Sequence, residues 1–231
     1  MQNPQRTTVR GPTFIRLLAR LANVEAPQSN PSLPDRLSQW LDWAHAIALS
    51  TALDGKPSAI GSDAPDFESA AEEECARAHG ALVNAIAGDR DLTLGSQRGG
   101  EPASAAIDYK IFRQRYLTRQ RAMQAATGNL RGRLRDMLVQ KSADMARLAE
   151  VDAVMELALS PREQKLLAAV PGLLGEHFER LRQAEQTGTD AAAAPGAWLE
   201  VFRKDMHDVL LAELDVRFQP VEGLLAALRT S

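Results

Sequence analysis

The stretch "YKIFRQRYLTRQRAMQAATGNLRGRLRDMLVQK", Tyr109 to Lys141, keeps apolar residues at helical spacing while carrying nine Lys or Arg against one Asp. Tyr109, Phe112, Tyr116, Met123, Ala126 and Leu130 follow a seven-residue pattern. Leu134, Leu138, Met145, Leu148, Met155 and Leu159 resume it after a four-residue step. A repeat of seven keeps one face of an α-helix turned toward other helices, so the stretch reads as a coiled-coil-like ridge. No proline occurs from Ser104 to Ser160, so no residue there blocks helix continuation outright. A straight helix of that span would measure about 75–85 Å, against roughly 45 Å across a compact globule of this size. The helix therefore projects as an elongated antiparallel or intermolecular coiled coil, or it bends at "TGNLRG". Gly128 and Gly132 there each cost about 1 kcal/mol relative to Ala. The expectation is an all-α, elongated helical bundle built around one long helix with a bend or short break around 127–132.

Composition agrees. The 38 Ala and 30 Leu set against 11 Val and 6 Ile favour helix, where unbranched side chains keep more rotamer freedom. A chain of 231 residues that is 45% hydrophobic can bury a core without a metal or disulfide staple. The net charge of -3 gives no global attraction to nucleic acid or acidic lipid, so such binding would need a local patch. The single cysteine, Cys75, cannot form an intramolecular disulfide. Arg16 and Arg20 interrupt "FIRLLARLANV", which lacks the uncharged centre of a signal peptide, and no apolar run is long enough for a transmembrane segment. Together these features predict a cytoplasmic soluble protein.

Further helices follow from periodicity and breakers. Gly11 and Pro12 open a short helix to Val24 with Phe14, Leu17, Leu18 and Leu21 on one face, an amphipathic piece expected to dock on the other helices. Ser32 and Pro34 start a helix running to Leu53, with Trp40 and Trp43 as core or interface anchors. Asp63, Pro65 and Asp66 start a third, ending at Gly88, whose exposed side carries Glu68, Glu72, Glu73 and Glu74. Ser160, Pro161 and Glu163 read as a capping-box start, and Pro171 with Gly172 as a restart. A final helix runs from Ala197 to Arg217, and Pro220 separates a last short one. The glycine-rich loop suggests a helical region over 1–95, a loop over 96–103, and the long helix with a C-terminal bundle over 104–231, the whole forming one or two units.

Chemistry-bearing motifs are sparse. Cys75 and His79 stand four apart, but no second pair has metal-site spacing, so no metal or cofactor is expected. "GSQRGGEP" has phosphate-loop glycines, yet Glu101 and Pro102 replace the residues that would hold phosphate and magnesium. His207 lies between Asp205 and Asp208, but adjacent helical residues point apart. The arginines of 110–141 occupy several azimuths while Tyr109, Phe112 and Tyr116 lie on the ridge, a poor layout for gripping nucleic acid. They read instead as a flank meeting the acidic third helix.

"GPTFIRLLARLANVEAP", "LPDRLSQWLDWAHAIALSTAL" and "AEVDAVMELALSPREQKLLAAVPGLLGEHFERLR" together resemble an uncharacterised proteobacterial family of all-helical proteins. The resemblance covers nearly the whole chain and implies a gene neighbourhood rich in envelope proteins. These include membrane proteins with a peptidoglycan-binding domain like that of flagellar stator subunits. It carries no catalytic residue.

The sequence therefore favours a non-enzymatic helical adaptor or scaffold in an assembly linked to the envelope. It would bind a protein partner or a second copy through the long helix, with Tyr116, Met123, Leu130, Leu134 and Leu138 as seam residues. Arg131, Arg133 and Arg135 would select the partner by charge. The alternative is a nucleic-acid-binding regulator that uses the basic stretch 110–141.

Overall fold

In a computed structural model, residues 13–24, 32–55, 68–89, 108–188 and 196–230 are described, and among them all regular structure is helical. The eight helices are α1 (Thr13–Ala22), α2 (Leu33–Trp40), α3 (Trp43–Asp54), α4 (Glu68–Ala87), α5 (Tyr109–Lys141), α6 (Ala143–Leu167), α7 (Val170–Gln186) and α8 (Ala197–Arg229). The expected helix start at Asp63, the loop over 96–103 and the phosphate-loop-like glycines lie outside the described residues.

The long ridge is resolved by a reversal at Ser142, not by a bend at 127–132. The 33 residues of α5 run unbroken through both glycines, a span of about 50 Å at helical rise. Ser142 is extended and ends α5, and its hydroxyl accepts from the Met145 N–H to cap α6. From there α6 returns along α5. Gln120 donates to the Leu167 carbonyl near one end of the pair, and Arg131 contacts Asp152 nearer the turn. The α5 half of the seven-residue pattern is buried in the core, whereas in α6 Met145 packs against that core and Leu148 is exposed.

Helix α8 matches α5 in length and is the more deeply enclosed. Its contacts with α5 rise together along both chains, from Phe112 with Phe202 to Lys141 with the Leu228 carbonyl, so the two run parallel. α4 lies antiparallel to both, pairing Glu74 with Arg133, Glu72 with Arg229, and His79 edge-on to Phe218. α1 and α7 close the other end. There Tyr109, Phe112, Phe178, Trp198 and Phe202 form an aromatic cluster, and Phe14 and Leu21 of α1 are buried. One hydrophobic core takes residues from α1, α4, α5, α6, α7 and α8, so helices from both sides of segment 96–103 share it.

Two prolines depart from the expected helix boundaries. Pro161 lies inside α6 and Pro220 inside α8, and neither starts or separates a helix. A proline in a helix interior lacks the N–H donor and costs about 3 kcal/mol. Packing along Val209, Leu210, Leu214, Val221 and Leu224, all buried, offsets that cost in α8.

The expected second helix is in fact two. Asp42 interrupts it, accepting from the His45 N–H to cap α3. α2 and α3 are strapped antiparallel onto α6. The Arg162 guanidinium lies 5.9 Å from the centroid of the Trp40 ring and donates to the Gln39 carbonyl, while Arg147 donates to the Gly55 carbonyl at the far end. Trp43 is not a core anchor: it is 80% exposed.

Candidate functional site

Tyr116, Met123, Leu130, Leu134 and Leu138 project into the bundle, where the other helices of the chain cover them. Tyr116, Met123 and Leu138 have no exposed surface at all. The α5 half of the ridge is thus packed against other described helices of the chain.

Five of the flanking arginines, Arg115, Arg119, Arg131, Arg133 and Arg135, are answered by acids of the same chain. Arg131 places Nε and Nη2 on the two Asp152 oxygens at 2.8 and 2.7 Å, and Arg135 reaches both Asp152 and Glu156. Arg133 meets Glu74, and Arg115 and Arg119 share Asp89. The first two pairs tie α6 to α5, and the others tie α4 to it.

The centre of the bundle holds a polar network on which sequence reasoning had not settled. Glu213 of α8 is completely buried. It accepts from the Tyr116 hydroxyl at 2.6 Å, from Gln120 Nε2 at 3.1 Å and from Arg217 Nε at 2.9 Å. Gln120 also donates to the Leu167 carbonyl at the end of α6, and Arg217 Nη1 donates to Glu163 at 3.2 Å. A buried carboxylate needs this density of donors to offset its lost hydration. Burial and the neighbouring Glu213 charge push the Tyr116 phenol well above its ordinary range, so it stays a protonated donor. The traces available in the sequence were Gln120 four residues beyond Tyr116 on the apolar face, and the Glu213/Arg217 pair inside an apolar helix.

Beside this network a cleft of about 480 Å³ opens between α5, α6 and α8. Arg131, Arg135 and Arg217 line it together with Glu156 and Glu163, over a floor that includes Gly128, Ala153 and both interior prolines.

A third polar group pins α1. Asp205 binds His177 Nε2 at 2.8 Å and Arg20 Nη2 at 2.8 Å, and Arg180 donates to the Leu21 carbonyl. Burial raises the Asp205 pKa, but the His177 hydrogen bond and the Arg20 charge outweigh it, and the net shift is downward. The structure therefore separates the acid/base grouping suggested around His207: Asp205 turns to α1 and α7, and His207 lies 3.8 Å from Asp208. Cys75 is buried, which raises its thiol pKa, and His79 meets Phe218 edge to face. No group of metal-binding side chains occurs among the described residues.

On the outside, α3 turns His45, Leu49 and Ala52 toward α6 and leaves Trp43 and Ile47, one turn apart, facing away from the body. Leu157 and Leu166 of α6 are 69% and 70% exposed. No helix among the described residues is long and apolar enough to cross a membrane.

The chain belongs to the family described as "Protein of unknown function (DUF3348)", whose model matches residues 1–230. No curated protein and no solved structure matches it.

Proposed function

We propose that this chain is a non-enzymatic helical adaptor or scaffold, working by protein contact in an assembly that its family resemblance ties to the cell envelope. One observation carries the reading: among the described residues α3, apolar around most of its circumference, is covered on one side, by α6, and presents Trp43 and Ile47 outward. Helices of that character are ordinarily enclosed on all sides. Tryptophan is among the residue types that most often dominate binding energy at protein interfaces. The proposed contact surface is α3 with the adjoining part of α6, in preference to the buried ridge of α5. The buried Tyr116–Glu213–Arg217 network is read as fixing helix register, with its groups enclosed and satisfied by one another.

The nucleic-acid alternative ranks second, because Arg115, Arg119, Arg131, Arg133 and Arg135 are engaged by acids of α4 and α6 and by Asp89, two residues beyond α4.

The test is co-purification from the native cell with mass spectrometry, comparing the natural chain with Trp43→Ser/Ile47→Ser. Loss of a specific partner from the variant, at unchanged thermal unfolding, is expected. Identical partner sets for the two chains would remove α3 as the contact surface.

A further inference from the structure

The half of the seven-residue pattern that falls on α6 is largely unused inside the chain. Leu148, Met155, Leu159 and Leu166 stand seven, four and seven residues apart. At about 100° per residue they fall within about 40° of one another around the helix. None of the four belongs to the hydrophobic core or packs against it. Leu148 and Leu166 are 38% and 70% exposed, and Met155 and Leu159 are half-buried. α6 packs against α5 on the side of Asp152 and Glu156, and against α3 on the side of Arg147. The stripe points between these two directions.

Its spacing indicates the occupant. The intervals are the same read from either end, so the stripe is symmetric about the level of Leu157. A second copy running antiparallel, related by a two-fold axis at that level, sets Leu148 against its Leu166 and Met155 against its Leu159. Asp152 and Arg162 flank the stripe on opposite sides, equally far before and after the same level, so each shares a layer with the opposite charge of the second copy. Leu148 to Leu166 cover about 27 Å of helix. With the flanking surfaces of α3 and α5 the contact reaches roughly 500–600 Å² per copy, at the lower edge of specific interfaces. That area suits a dimer forming at micromolar concentration, not a permanent one.

We propose that this stripe is the interface of a weak antiparallel homodimer, in which α6 of one copy packs along α6 of the other. The inference goes beyond the adaptor reading, which rests on Trp43 and Ile47 of α3, and does not depend on it.

The experiment is sedimentation velocity of the full chain across micromolar concentrations, where a reversible monomer–dimer equilibrium is expected. Leu148→Glu/Leu166→Glu sets carboxylates against each other at both ends of the interface. It should raise the dissociation constant at least about tenfold with thermal unfolding unchanged, since both side chains already meet water. Oxidative cross-linking in a Cys75→Ser background tests the register. Leu148→Cys and Leu166→Cys chains should not cross-link when kept apart, because equivalent positions lie about 27 Å from each other, and should cross-link when mixed. A chain that stays monomeric throughout would overturn the proposal and leave the stripe to a different protein. So would a dimer indifferent to Leu148→Glu/Leu166→Glu, or cross-linking of either variant alone as strong as that of the mixture. Trp43→Ser/Ile47→Ser should dimerise as the natural chain does, whether or not it loses another partner; loss of the dimer in that variant would move the interface to α3 and contradict the proposal.

Discussion

Helices α8 and α3 are both rich in apolar residues around their circumference, yet they meet opposite fates. α8 is wrapped by α1, α4, α5 and α7 and buries residues along its full length, from Trp198 to Leu228. α3 is covered by α6 and buries only Ala52. An apolar surface in water costs free energy in proportion to its area. The first helix therefore explains why the chain folds, and the second where it has contact area to spare. A polar group inside α8, Glu213, is answered by three residues of the same chain; the exposed tryptophan of α3 points away from every helix described.

The sharpest way to break this contrast is inside α8. Arg217→Ala leaves Glu213 buried without its cation, and a loss of about 3–5 kcal/mol in denaturant unfolding is expected. A loss below about 1 kcal/mol would mean that water already reaches the carboxylate. Tyr116→Phe removes one donor and keeps the ring, so the expected loss in the same assay is smaller, about 1–2 kcal/mol. At the α1 edge the effect depends on pH. The folded-state pKa of Asp205 is depressed, so its contribution is complete above the ordinary carboxylate pKa of about 3.9 and disappears as pH falls through the lower folded value. Acid unfolding should be shallower in Asp205→Asn, because that variant lacks the titrating group; an unchanged profile would place the acid sensitivity elsewhere. The smallest effect belongs to α3. Trp43→Ser should alter unfolding free energy by no more than about 0.5 kcal/mol, since the side chain already lies in water.

Much of the fold was legible because it rested on local rules. The all-α class, the ridge from Tyr109 to Leu138, the inward face of the first helix and the restart at Pro171 follow from composition, period and breakers. The reversal at Ser142 was hidden because the same seven-residue pattern serves a continuous helix and a hairpin; only the Lys141-Ser142 junction, a basic helix end followed by a cap, marks the turn. Pro161 and Pro220 were misread as boundaries because tertiary packing can carry a proline that local propensity rejects. The expected outward role of the arginines came from the same limit. Spacing shows that Arg131 and Arg135 share a face, but not that Asp152 returns opposite them once the chain reverses. The network around Glu213 joins residues about a hundred positions apart, a separation across which no local pattern operates.

The account stands on a closed ridge and an open α3, and thiol labelling compares the two in one assay. In a Cys75→Ser background, Trp43→Cys should react with a maleimide about as fast as in the unfolded chain. Met123→Cys, on the ridge, should resist until denaturant is added. Rapid labelling of the Met123→Cys chain under native conditions, or protection of the isolated Trp43→Cys chain, would contradict the account.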